Sequence, residues 1–101
     1  MSMLISRAMN AKLNGQVTNE FGASQKYLAM ACGFEAMGLK ILAERFRQQA
    51  DEERAHALKI LEYIQEVGGT VKVDGVPKPT GNFSDPMKIL KGGLDSELKV
   101  T

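Results

Sequence analysis

The chain has 101 residues, 44% of them hydrophobic and 25% charged, and a formal net charge of +1. That size allows one small domain with a modest core, and the near-neutral balance gives no electrostatic case for nucleic acid or an anionic membrane. The single cysteine, Cys32, excludes an intrachain disulfide and a Cys-rich zinc or rubredoxin-type iron site, and it suits a reducing compartment, the cytoplasm.

The opening Met-Ser-Met-Leu-Ile-Ser-Arg is too short and broken for a signal peptide, and no apolar run reaches the ~20 residues of a membrane helix. From Ser6 to Met37 there is no proline, and Met9, Leu13, Val17, Glu20, Ser24, Tyr27, Ala31 and Phe34 recur at steps of three or four. This spacing predicts a helix with one apolar stripe. Glu20 interrupts the stripe, and a carboxylate there is expensive to bury unless something pairs with it.

Gly38 marks a turn. A second helix is expected over residues 40–67, with the stripe Leu42, Phe46, Gln49, Glu53, His56, Ile60, Tyr63 and Val67, ended by Gly68-Gly69. Its stripe is also apolar at both ends and polar in the middle. The short connection implies an antiparallel hairpin, an all-α fold equal to half of a four-helix bundle. Glu20 lies 18 residues before Gly38 and Glu53 lies 15 after it, so the two fall at nearly one height.

Residues 70–85 carry two of the three prolines and read as an extended crossover. Ser84-Asp85-Pro86 then has the form of a helix start, with a capping side chain and proline at the first helical position. Gly92-Gly93 weakens this third segment. The organisation expected is therefore a hairpin over residues 1–69, followed by a crossover and the start of a third helix over residues 70–101.

Glu53 and His56 form a Glu-x-x-His pair, and positions three apart share one helix face. Such a pair alone also recurs on solvated helices. What distinguishes it here is Glu20 at matching height on the partner stripe. Two carboxylates and an imidazole projecting from facing helices suit Fe or Mn, ions that favour oxygen and nitrogen donors. Asp51, Glu52 and Arg54 are expected to face solvent. Cys32 reads as a small buried hydrophobe, and the methionines as core filling.

The run Asn19-Glu20-Phe-Gly-Ala-Ser-Gln-Lys-Tyr27-Leu, followed by Phe46 through Ala-Asp-Glu-Glu53-Arg-Ala-His56-Ala, resembles helices A and B of the non-haem ferritins. The crossover and Ser84-Asp-Pro, leading to Ser96-Glu97-Leu-Lys-Val-Thr, resemble the ferritin connection and the start of helix C. The resemblance implies a di-iron ferroxidase that oxidises Fe²⁺ with O₂ or H₂O₂. By it, Glu20 is the helix A ligand, Glu53 the bridging carboxylate, His56 the imidazole ligand and Tyr27 the neighbouring tyrosine. Glu97 matches the first ligand from helix C.

Bacterioferritins place a haem-binding methionine directly after the Glu of Glu-x-x-His. Arg54 stands at that position, so no haem is expected. A rubrerythrin-like, peroxide-reducing di-iron protein is the second resemblance, although one cysteine cannot form its rubredoxin module. A third reading, of a different kind, is a truncated ferritin fragment acting only as a helical assembly module.

One hairpin offers three ligands and leaves an apolar stripe uncovered, an unrealised gain at ~25 cal/mol per Å². A twofold homodimer would complete the four-helix bundle and supply Glu20, Glu53 and His56 twice. Ala8, Gly15, Gly22, Ala29 and Ala36 also recur at a strict heptad interval on the side of the first helix away from Glu20. Small residues along one line let another helix approach closely. A second, outward contact giving a larger homo-oligomer is expected there.

Overall fold

The computed structural model describes residues 5–79 of the chain. Two helices, α1 (Arg7–Ala36) and α2 (Lys40–Glu66), pack as an antiparallel hairpin. At ~1.5 Å rise per residue they are about 45 and 40 Å long. Ser6 starts α1, its hydroxyl accepting the amide of Met9 at 3.0 Å. This satisfies one of the backbone donors that a helix start leaves unpaired.

Both helices end in the same way. Gly38 and Gly68 have φ of 76° and 74°, a left-handed conformation that side chains resist and glycine accepts. After α1 the amides of Gly38 and Leu39 donate to Glu35 and Phe34; after α2 those of Gly68 and Gly69 donate to Gln65 and Ile64. Each pair returns two orphan carbonyls to hydrogen bonding, so the chain leaves the helix sharply.

The α1 stripe follows its expected face, with Val17, Glu20, Tyr27, Ala31 and Phe34 all buried. Met9 differs: it is 45% exposed near the free end of the hairpin. On α2 the packed line lies one residue over from the centre of the expected stripe. Ala43, Ala50, Ala57 and Ile64, one heptad apart, are buried at the contact with α1. Leu42, Gln49, His56 and Tyr63 form the neighbouring line and stay half-buried or exposed. Helices approach most closely over small side chains, so alanine takes the contact while the larger residues fill its flanks.

Cys32 is exposed, which corrects the reading of it as a buried residue. It stands five positions past Tyr27, a rotation of about 140° at 3.6 residues per turn, and so lies off the packed face. Asp51, Glu52 and Arg54 face solvent as expected. Of the methionines, Met30 is buried and Met37 packs at its edge.

The apolar contacts divide into two clusters. One joins Tyr27, Met30 and Phe34 to Ala43 and Ala50, with Phe46 seated 6.0 Å from the Tyr27 ring and 5.3 Å from the Phe34 ring between centroids. The other joins Val17 to Ala57 and Ile64, flanked by Leu13, Phe21, Ile60 and Val71. Glu20 and Glu53 fall between the clusters in sequence on both helices.

After Gly69 the chain runs without helix or strand to residue 79, and its start is tied back onto α1. The Asn10 side chain accepts the Thr70 amide at 3.0 Å, and that of Asn14 accepts the Lys72 amide at 2.7 Å. Both Asn amides donate to the Thr70 carbonyl, at 3.2 and 2.8 Å. Two side chains thus act as the partner strand that this extended backbone lacks. Gly69 is needed beside them, because a Cβ there would collide with Asn10 Oδ1 and come within 2.9 Å of Ile64 Cγ2. The expected helix start at Ser84-Asp85-Pro86, the third helical segment and Glu97 lie outside the described residues.

Gly15 and Gly22, in the heptad line of small residues, have open space around their missing side chains. Neither glycine's missing side chain would reach a described residue of α2. Among the described residues, no helix is long and apolar enough to cross a membrane.

Candidate metal centre

The hairpin brings together the three donors that the sequence placed at one height. One ligand atom from each of Glu20, Glu53 and His56 lies within 4.8 Å of the other two. Glu20 comes from the middle of α1, and the other two from successive turns of one face of α2. Their alignment has a visible cause. The Ser24 hydroxyl, one turn after Glu20, donates to the Ala50 carbonyl, one turn before Glu53, at 2.7 Å. This bond between helices sets the register at the height of the site.

Both carboxylates are buried, Glu20 at 6% exposure and Glu53 at 5%. Each has one oxygen satisfied from its own helix: Gln16 donates to Glu20 Oε1 at 2.8 Å, and Gln49 to Glu53 Oε1 at 3.1 Å. The other oxygens, Glu20 Oε2 and Glu53 Oε2, are buried with no hydrogen-bond partner among the described residues. His56 Nδ1 stands 3.8 Å from the first and 3.7 Å from the second. These separations are too long for hydrogen bonds. The gap between the three donors is open to an ion.

Two buried carboxyls this close resist double ionisation. Burial, and then the neighbouring Glu20 carboxyl, raise the Glu53 pKa from 4.5 to about 7. The Gln49 amide and nearby His56 pull in the opposite direction. Leaving such oxygens buried and unpaired is costly in a dry hairpin. A divalent cation would relieve the cost at once, since it interacts with both charges and the imidazole together. The residues present therefore fit a metal ion that favours oxygen and nitrogen donors.

His56 is unlike its two companions. Its side chain is 56% exposed, on the line Leu42, Gln49, His56 and Tyr63 that α1 leaves uncovered. The ring closes the cluster on the outer side. Tyr27, two turns beyond Glu20 on the same face, is buried at 2% exposure against Phe46. Glu97 lies outside the described residues. The apolar stripes do not single out Gln16, and they mark Gln49 only as a polar gap. The signal that finds both is a Gln-x-x-x-Glu spacing shared by the two helices, which places a donor one turn before each carboxylate.

Comparison with known proteins gives this geometry its family. The ferritin-like domain model matches residues 10–101. The chain belongs to the ferritin-like family. Ferritin BfrB of Mycolicibacterium smegmatis is 37% identical over 92 residues, which cover 91% of this chain and 51% of that protein. A bacterial non-heme ferritin of Staphylococcus haemolyticus is 33% identical over 98 residues, covering 97% of this chain and 59% of the relative. Among solved structures, an open pore ferritin from the archaeon Archaeoglobus fulgidus superposes with a TM-score of 0.89 at 33% identity, covering 95% of this chain and 58% of that one. The ferritin-like chain thus spans between half and three-fifths of the length of these relatives. Its two packed helices have the ferritin arrangement.

Proposed function

We propose that this ferritin-like chain binds iron and acts as a ferroxidase, with Fe²⁺ as substrate and O₂ or H₂O₂ as oxidant. The observation that carries this reading is the convergence of two buried, unpartnered carboxylate oxygens and an imidazole nitrogen on one point. Glu20, Glu53 and His56 hold the Fe²⁺, and iron is the metal that the resemblance to ferritins favours over Mn. Two Fe²⁺ give up one electron each. The pair of electrons, with two protons taken from solvent, reduces O₂ to H₂O₂, or H₂O₂ to two molecules of water.

The chain's own groups prepare that exchange. Burial keeps competing water away from Glu20 and Glu53, and their charge favours Fe³⁺ over Fe²⁺, which lowers the cost of oxidation. His56 must be neutral at Nδ1 to bind an ion. Glu53, with its pKa at about 7, must release a proton as the ion enters. Tyr27, by the same resemblance, is the tyrosine beside the reacting centre. Glu97 is assigned a ligand role on the resemblance alone.

The site is completed, in this reading, by a second copy of the hairpin. Pairing about a twofold axis covers the open line of Leu42, Gln49, His56 and Tyr63, and it provides four carboxylates and two imidazoles around two ions. The exposure of His56 supports this, since an imidazole ligand functions best when oriented and shielded by neighbours. Glu53→Ala and His56→Ala test the chemistry: both should lose bound iron and rapid Fe²⁺ oxidation. Retention of both properties in both variants would refute the ferroxidase reading and favour an assembly module. Light scattering tests the pairing, and a monomer that still binds two irons would sink it. Faster oxidation by H₂O₂ than by O₂ would move the activity toward the peroxide-reducing, rubrerythrin-like class.

A further inference from the structure

Ser24 is the second polar residue in the stripe of α1, one turn after Glu20, and its hydroxyl donates to the Ala50 carbonyl at 2.7 Å. Side chains of a helix lean toward its N-terminus, and backbone carbonyls point toward its C-terminus. In an antiparallel pair the two directions coincide, so Ser24 Oγ and the Ala50 oxygen are both displaced toward the height of Glu20 and Glu53. We propose that Ser24 is a positioning residue that sets the gap between the Glu20 and Glu53 carboxylates, and with it the size of divalent cation the chain prefers.

Opposing forces meet at this height. Glu20 Oε2 and Glu53 Oε2 are buried side by side without hydrogen-bond partners among the described residues, and two carboxylate charges there repel and push the helices apart. The apolar clusters hold the hairpin toward its turn and toward its free end, whereas the buried face between them carries carboxylates in place of interlocking hydrocarbon. The Ser24 bond resists the repulsion within one turn of both groups. It can form because Ala50, 4% exposed, is small enough to let the α2 backbone come within reach of a short side chain. A hydroxyl one bond beyond Cβ has little freedom, so its bond to a fixed carbonyl tolerates little sliding or separation. A gap held in advance suits one ionic radius, and selectivity among divalent ions follows cavity size and ligand flexibility. Without the bond the carboxylates part, and a small ion must draw them back further than a large one.

This inference rests on the metal-binding reading of Glu20, Glu53 and His56, and the experiment separates the two. Co²⁺ and the larger Mn²⁺ are titrated, at one fixed pH, into the full chain and into Ser24→Ala, Ser24→Thr, Ser24→Val and Glu53→Ala. Threonine keeps the hydroxyl, and valine has threonine's shape without the donor. Ser24→Ala and Ser24→Val should bind Co²⁺ about tenfold more weakly, the order expected when a group that supports metal ligands is removed. Their loss of Mn²⁺ affinity should be smaller, so the preference for Co²⁺ over Mn²⁺ narrows. Ser24→Thr should keep the parent's ratio of affinities.

Unchanged Co²⁺ affinity in Ser24→Ala would overturn the proposal while leaving the metal site standing. An equal loss for both ions would overturn it too, since a loss of general stability weakens both alike, and so would matching ratios in the threonine and valine variants. If the β-branched variants do not fold, the ratio in Ser24→Ala against that of the parent decides alone. Equal binding of both ions by the parent chain and Glu53→Ala would instead remove the metal reading itself.

Discussion

Replacing Glu53 by glutamine removes one titratable group while keeping its size and a polar end, and the consequence for folding can be worked from the structure. In the folded chain, burial and then the neighbouring Glu20 carboxyl raise the Glu53 pKa from 4.5 to about 7. In the unfolded chain the group titrates near 4.5. Between those two values the folded state holds a proton that the unfolded state has lost. Stability from this group is therefore complete below pH 4.5, declines as pH rises, and is gone above pH 7. At ~1.4 kcal/mol per pKa unit, the interval from 4.5 to about 7 corresponds to roughly 3 kcal/mol. Other carboxylates titrate over the same range, so the informative quantity is the difference between parent and Glu53→Gln. Urea unfolding at fixed protein concentration, with a chelator present, should show the parent losing roughly 3 kcal/mol relative to the variant between pH 4 and pH 8.5. A divalent ion added at pH 8.5 should restore the parent and not the variant. Parallel pH dependence in the two proteins would refute the argument that the carboxyls meet in a buried, shared environment.

Two further outcomes follow from packing. Ala57→Leu places a large side chain where none of the residue is exposed, and should cost about 1–3 kcal/mol by forcing the helices apart. Because Ala57 adjoins His56 and lies one turn from Glu53, Fe²⁺ oxidation should slow as well. Equal stability and rate would show that the helices are not tightly apposed there. Gly22→Leu should leave hairpin stability intact, since a Cβ at Gly22 meets nothing within 4 Å among the described residues, yet reduce the size of the assembly measured by light scattering. An unchanged size would show that the line of small residues is idle.

Much of this architecture is legible in the sequence because its signals are periodic. Counting from Gly38 places Glu20 and Glu53 together, and the glycines at 38 and 68 end the helices where left-handed backbone is required. The stripe of α2 is less legible. Large residues draw the eye to Leu42, His56 and Tyr63, while the actual contact belongs to Ala43, Ala50 and Ala57, whose merit is being small. Cys32 has the same difficulty in reverse: its type suggests burial, and only its rotation about α1 reveals exposure. The glutamine donors and the bond from Ser24 to Ala50 join particular atoms. The repeated Gln-x-x-x-Glu spacing marks the first, but the bond across the hairpin becomes visible only once side-chain directions are known.

The asparagine tie between α1 and residues 70–72 has a consequence for how the hairpin opens. The Thr70 and Lys72 amides are bonded to side chains on the first two turns of α1, 58 to 60 positions earlier in the chain. The outer end of a two-helix hairpin would ordinarily fray, one helix at a time. Here the start of α1 cannot unwind without releasing the segment after α2, and that segment cannot lift without stranding the donors and acceptors of Asn10 and Asn14. The two termini of the hairpin are therefore expected to open as one cooperative unit, with a common opening free energy in hydrogen exchange for protected amides that are far apart in sequence.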